Sequence, residues 1–207
     1  MAQIDNLFDA VRGSAGNLVF YERNGRNFMR TKPGKYRDRK SQGQLAQRQR
    51  MQVVNRFLKP FGRLIRITFA GEAKERSALQ AAQSYNMRHA LAGDYPGIGI
   101  DPGRVLLSKG PVGLPQSASA SVHPEGLLIQ WQNGPEGAGN DSLVVMASWG
   151  DGAWCEYRFT ETLRNKGEYT WQTTQPVTPD ALPDVWIAFR NSEMTEMSDS
   201  LYAPEKV

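Results

Sequence analysis

Six apolar residues, Val54, Phe57, Leu58, Phe61, Leu64 and Ile65, recur at helical spacing. At 100° per residue they fall within about 120° of arc. A strand cannot hold that set on one face, because its side chains alternate with a period of two. Arg48, Arg56, Lys59, Arg63 and Arg66 fall within about 80° on the opposite side. A helix divided in this way buries one side and offers the other to solvent or a partner. Pro60 lacks a backbone donor, so the helix is expected to kink or split there, with the stripe intact within each half. Ser41-Gln-Gly-Gln44 reads as the capping box that starts it.

These cations belong to a longer basic stretch. Residues 23–66 hold fourteen Lys or Arg and one acid, Asp38, with Phe28, Tyr36, Phe57 and Phe61 interleaved. Self-repulsion on that scale calls for a counter-charge or a partner. The candidate partner-binding or nucleic-acid-binding residues are Arg30, Lys32, Lys35, Arg37, Arg39, Lys40, Arg48, Arg56, Lys59, Arg63 and Arg66.

The charge changes sign along the chain. Residues 1–115 hold 20 Lys or Arg and 8 Asp or Glu, net +12; residues 116–207 hold 5 and 13, net −8. All five tryptophans, Trp131, Trp149, Trp154, Trp171 and Trp186, lie in the second part. Two unrelated shifts at one place indicate a domain boundary, and residues 110–120, rich in Pro, Gly and Ser, read as the linker. The expected fold class is α+β. A basic domain with a β-hairpin and two helices (residues 1–112) precedes an acidic antiparallel β-sandwich (residues 113–207).

Ile4, Leu7, Phe8 and Val11 have the spacing of a short amphipathic helix. Asn24-Gly25 marks a hairpin over residues 17–31, since both residues accept the positive φ of a tight turn. A second helix is expected over 77–92, stopped by Gly93. Short strands are expected at 98–100 and 104–108. In the second part, strands at 127–131, 142–149, 153–159, 168–172, 185–189 and 197–202 are separated by turn-rich gaps, which suits an antiparallel sandwich.

Catalytic chemistry finds little support. The chain has two histidines, His89 and His123, and one cysteine, Cys155. A Cys155/His123 nucleophile pair is the one catalytic option, but Cys155 alternates within an apparent strand, as a buried structural thiol does. Two His and one Cys give no zinc-ligand spacing. Gly97-Ile-Gly99 lacks the preceding strand and following helix of a nucleotide fingerprint. A non-enzymatic protein without metal or cofactor is therefore expected. Asp5 and Asp9 stand where a signal peptide needs basic residues. No run approaches the roughly 20 apolar residues of a spanning helix. The chain is expected to be made soluble in the cytoplasm, and a virion or extracellular assembly is a compatible destination.

Two resemblances follow. Trp131 on an early strand, Val185-Trp-Ile-Ala-Phe-Arg-Asn and the closing Met197-Ser-Asp-Ser-Leu-Tyr resemble a fibronectin type III domain, an immunoglobulin-like sandwich, over roughly residues 116–207. The whole chain resembles a family of uncharacterised bacterial proteins, a domain of unknown function. The resemblance is carried by Gly16-Asn-Leu-Val, Arg30-Thr-Lys-Pro, Gln44-Leu-Ala-Gln-Arg-Gln-Arg, Ala81-Ala-Gln-Ser-Tyr, Arg88-His-Ala and Arg104-Val-Leu-Leu-Ser. That family has no assigned activity or site, so the resemblance implies none.

The expected function is that of a structural or assembly protein, a homo-oligomeric subunit of a larger particle or filament such as a virion or surface structure. Its basic domain would dock on an acidic protein partner, a neighbouring copy included. The alternative is nucleic-acid binding through the same stretch.

Overall fold

The computed structural model describes residues 2–3, 12–23, 25–34, 38–150, 152–178 and 181–206. The chain forms two compact units, Met1–Ser41 and Gln42–Val207.

In the first unit, β1 (Ala2–Gln3), β2 (Gly13–Ala15), β3 (Leu18–Arg23) and β4 (Arg26–Thr31) form an antiparallel sheet in the order β1-β4-β3-β2. The register pairs Leu18 with Thr31 and Arg23 with Arg26, so the expected hairpin turns over two residues. Gly25 supplies the left-handed conformation that turn needs, at φ 72°. Tyr21 stacks on Phe28 at 5.6 Å between centroids. None of residues 12–23, 25–34 and 38–41 is buried. The amphipathic piece carried by Ile4, Leu7, Phe8 and Val11 lies outside the described residues, as do the candidate residues Lys35 and Arg37.

The second unit opens with α1 (Gln42–Leu58), directly after Ser41, the position read as the helix cap. The helix breaks at Lys59-Pro60, as expected, and α2 (Gly62–Thr68) continues the apolar stripe. All six stripe residues are at most 2% exposed. In α3 (Ala78–His89), the Ser77 hydroxyl accepts the Gln80 N–H and the Gln80 side chain accepts the Ser77 N–H. A small antiparallel pair follows, β5 (Leu91–Ala92) with β6 (Gly99–Ile100).

Among the described residues seven strands follow: β7 (Ser117–His123), β8 (Gly126–Gln132), β9 (Ser142–Trp149), β10 (Trp154–Leu163), β11 (Glu168–Trp171), β12 (Asp184–Arg190) and β13 (Leu201–Ala203). They form two antiparallel sheets, β11-β8-β7 and β10-β9-β12-β13. Leu143, Val145 and Ala147 of β9 and Val185, Ile187 and Phe189 of β12 share one apolar cluster with Leu127, Ile129, Trp131 and Trp171 of the three-stranded sheet. The alternate residues Val144, Met146, Trp186 and Ala188 join a second cluster with α1, α2 and α3. The Trp186 ring lies edge-on to Phe57 and Phe61, at 5.9 and 6.5 Å, and its Nε1–H donates to the Pro102 carbonyl at 3.0 Å. The unit is thus three layers deep: helices, four-stranded sheet, three-stranded sheet.

This layering moves the boundary. The sequence pattern divides the chain at 112/113, but the compact units divide at 41/42, and one apolar cluster joins residues 54–107 to β9 and β12. Stripping the helices away would uncover Val144, Met146 and Trp186. At about 1.5–3 kcal/mol per large apolar side chain, that loss rivals the stability of a whole domain.

Two shorter expectations also change. Residues 104–108 form no strand, although Val105, Leu106, Leu107 and Ser108 are buried. Side chains satisfy this backbone in place of a ladder. Asn86 donates to the Leu106 carbonyl at 2.9 Å and accepts its N–H at 3.0 Å. Thr68 donates to the Leu107 carbonyl at 2.7 Å, and Ser200 accepts the Leu107 N–H at 2.9 Å. The expected linker, residues 110–120, is in part strand β7, whose small Ser and Ala residues carry no strong hydrophobic alternation.

Candidate interaction surface

The buried stripe fixes the orientation of α1 and α2, and with it the cations on their other side. Arg48, Arg56, Lys59, Arg63 and Arg66 are all exposed, and so is Arg50. Among the described residues, Arg56, Lys59, Arg63 and Arg66 make no ion pair. Residues 42–71 contain no Asp or Glu at all. Two apolar side chains stand exposed on the same helices, Met51 at 44% and Ile67 at 54%. The sequence pattern singles out neither, although a Met and an Ile off the stripe were the available signal.

The remaining described candidates belong to the first unit. Arg30 projects from β4, exposed, with its guanidinium 5.9 Å from the Tyr21 ring centroid. Lys32, Arg39 and Lys40 are exposed beyond the hairpin, and the Lys40 N–H donates to Asp38 Oδ1 at 3.1 Å. The nine described candidates are therefore spread over two bodies. Residues 1–41 hold 9 Lys or Arg and 4 Asp or Glu, net +5; residues 42–207 hold 16 and 17, net −1. Inside the second unit, residues 42–115 (11 and 4, net +7) share one body with residues 116–207 (5 and 13, net −8).

The catalytic option fares poorly on geometry. Cys155 sits half-buried on β10 beside Tyr157 and Phe159, on the side packed against the helical cluster. His123 ends β7 in the other sheet, where its Nδ1 accepts the Glu125 N–H at 3.2 Å. Burial pushes the Cys155 thiol up to about 11, and neighbouring Glu156 adds to the rise. A raised thiol pKa keeps the proton on at neutral pH, so the nucleophilic thiolate is scarce. Thiol reagents at pH 8 should label native Cys155 about two orders of magnitude more slowly than the urea-unfolded chain. Native labelling within a few-fold of the unfolded rate would show a reactive cysteine instead.

One charged residue gives no sign of its role in the sequence. Arg164 follows β10 in a 3-10 turn (Arg164–Lys166), only 1% exposed. Its Nε donates to Asp141 Oδ2 at 3.1 Å, an Nη donates to the Gly113 carbonyl at 2.6 Å, and the guanidinium lies 3.9 Å from the Phe189 ring centroid. The arrangement clamps the segment at Gly113 onto the four-stranded sheet.

Among the described residues no helix is long and apolar enough to cross a membrane. No curated protein and no solved structure matches the chain. A family of unknown function, DUF6266, matches residues 10–202, and the chain belongs to that family.

Proposed function

We propose that this chain is a non-enzymatic structural subunit of a larger assembly, docking through the cationic side of α1 and α2 on the acidic surface of a neighbouring copy. One observation carries the reading. Arg56, Lys59, Arg63 and Arg66 are exposed and, among the described residues, make no ion pair, on helices whose opposite side is locked into the core. A surface held in place needs little ordering on binding. Exposed Met51 and Ile67 give a protein partner apolar contacts that a phosphate backbone would leave unused. The acidic residues 116–207 supply the complementary charge, and like-signed faces would reject wrong orientations. A homo-oligomer follows from this reading.

The finer fold reading belongs to the same proposal: a fibronectin type III or immunoglobulin-like sandwich. Its support is strand order. The first, second and fifth of the seven strands share one sheet, and the third, fourth, sixth and seventh share the other. Such a sandwich would be displayed or packed within the assembly, with the helices covering its second sheet.

Nucleic-acid binding is the second reading, favoured by the absence of any acid over residues 42–71. The variant R56Q/K59Q/R63Q separates the two, because Gln keeps helix propensity nearly constant. Under the assembly reading, sedimentation at low salt should show weaker self-association than wild type, with neither protein binding DNA or RNA. Under the second, affinity should fall for all sequences alike, and the slope of log affinity against log salt should flatten by about one for each phosphate no longer neutralised. A variant that matches wild type in size, nucleic-acid binding and salt response would leave the row as a solvated helix face.

A further inference from the structure

We propose that β10 is a pairing edge, along which two copies join antiparallel through residues 154–160 and extend the four-stranded sheet across a two-fold axis. This surface is separate from the cationic helices and does not rest on their role.

β10 runs for ten residues at the end of its sheet, and among the described residues it pairs with β9 alone. Its outer side therefore presents main-chain donors and acceptors without a strand to meet them. Natural edges of this length are usually blunted with Lys, Pro or a bulge. Residues 154–163 contain neither Lys nor Pro. The irregular register lies at the far end, between Phe159 and Leu163, while Trp154 to Phe159 pair one to one with Trp149 to Val144. Six regular residues are thus left open to a second strand.

The occupant is argued from charge. Cys155, Tyr157 and Phe159 pack on the helical side, so Trp154, Glu156 and Arg158 face the side of the three-stranded sheet. Glu156 and Arg158 are opposite charges two residues apart on one face. Antiparallel pairing centred on Tyr157 sets Glu156 of each copy across from Arg158 of the other. A protective edge uses charges that repel a second copy; this pair attracts one, twice per interface. A foreign strand would have to reproduce that pattern, whereas a second copy carries it. Glu156 is already oriented, since its Oε2 accepts the Thr174 N–H at 2.9 Å.

The same register accounts for the exposed indole. Trp154 is 48% exposed, on the same side of the sheet. Centring on Tyr157 brings it opposite Thr160 of the other copy. Thr160, Thr162 and Tyr169 line an open groove there that continues the edge. An isologous contact fills both grooves at once.

The test is sedimentation velocity over a range of concentrations, in the R56Q/K59Q/R63Q background so that loss at the helices is not read as loss here. R158E sets two carboxylates opposite each other, and E156R sets two guanidinium groups opposite each other. Each alone should move the dimer midpoint at least about tenfold higher in concentration. Their equimolar mixture should restore dimers, because a copy carrying E156R then presents two cations to the two anions of a copy carrying R158E. A merely structural defect would not be rescued by mixing. Arg158 is exposed, so R158E is expected to keep the native near-ultraviolet circular dichroism. Should E156R unfold, W154A supplies the second arm, with the same weakening expected. A background chain that stays monomeric throughout, an R158E dimer as tight as its parent, folded variants that mixing fails to rescue, or a W154A dimer of undiminished strength would each overturn the proposal.

Discussion

Asp141→Ala is expected to cost about 3–5 kcal/mol of folding stability, because it leaves Arg164 as a buried cation without its counter-charge. Asp141 is 3% exposed and Arg164 1%. The carboxylate oxygen that accepts Arg164 Nε at 3.1 Å also accepts the Ala138 N–H at 3.1 Å, and the Asp141 carbonyl accepts the Arg164 N–H at 2.8 Å. Burial lowers the guanidinium pKa below its ordinary value, and Asp141 opposes that shift. Without the carboxylate, the Gly113 carbonyl is the one hydrogen-bond acceptor left to the guanidinium among the described residues, with the Phe189 ring against its face. For a body of this size the loss corresponds to a midpoint lower by roughly 10 °C. The double variant D141A/R164M removes the charge along with its partner, and should recover much of the loss, since apolar replacement of a buried pair is often neutral. Urea unfolding at neutral pH measures both. A single variant within about 1 kcal/mol of wild type would mean that water or a neighbour already shields the guanidinium.

The stripe from Val54 to Ile65 was legible because its period excludes a strand, and each half keeps its own face across the break at Pro60. The hairpin was legible because Asn24-Gly25 sets both the place and the length of the turn. The third layer left a signal of a different kind. Leu143-Val-Val-Met-Ala147 and Val185-Trp-Ile-Ala-Phe189 are unbroken apolar runs, whereas a sandwich strand with one wet face alternates. Both strands are buried from side to side because the helices cover what would be the outer face. Those runs predict a cover, and the sandwich reading took them only as strands.

The charge step misled for a related reason. Composition reports surfaces, while boundaries are set by cores. The cations of α1 and α2 and the acids beyond residue 116 lie on one body, joined through an apolar cluster that carries no charge. The nine described candidate cations were legible one by one as exposed, but not as members of two separate units. Arg164 was not legible at all. Its partners Gly113, Asp141 and Phe189 lie 51, 23 and 25 positions away along the chain, and only the fold brings them together. Taken singly, an arginine in a polar turn reads as a surface residue.

A protease of broad specificity is expected to cut first within residues 32–41 and to leave residues 42–207 as one resistant fragment. Residues 32–34 and 38–41 are outside regular structure and exposed or half-exposed, and they join the two units. Composition alone pointed elsewhere, to 110–120. That segment is tied down along its length. The Gly110 N–H donates to Asp199 Oδ1 at 3.1 Å, the Val112 N–H to the Met197 carbonyl at 3.1 Å, and the Gln116 N–H to the Gln132 carbonyl at 2.8 Å. A β-carbon at position 110 would collide with the Met197 carbonyl, so the close approach itself requires glycine. Arg164 holds the Gly113 carbonyl between these bonds. Cleavage needs several residues of extended, freed backbone, and freeing these would break the whole set. Broad specificity matters, because residues 110–120 contain no Lys or Arg and would escape trypsin for that reason alone. The excised 42–207 fragment should unfold cooperatively with a midpoint near that of the same transition in the full chain. Residues 113–207 expressed alone would expose Val144, Met146 and Trp186, and should be insoluble or lack a cooperative transition. A first cut at 110–120 that releases a soluble, cooperatively folding C-terminal piece would overturn the three-layer description of this unit.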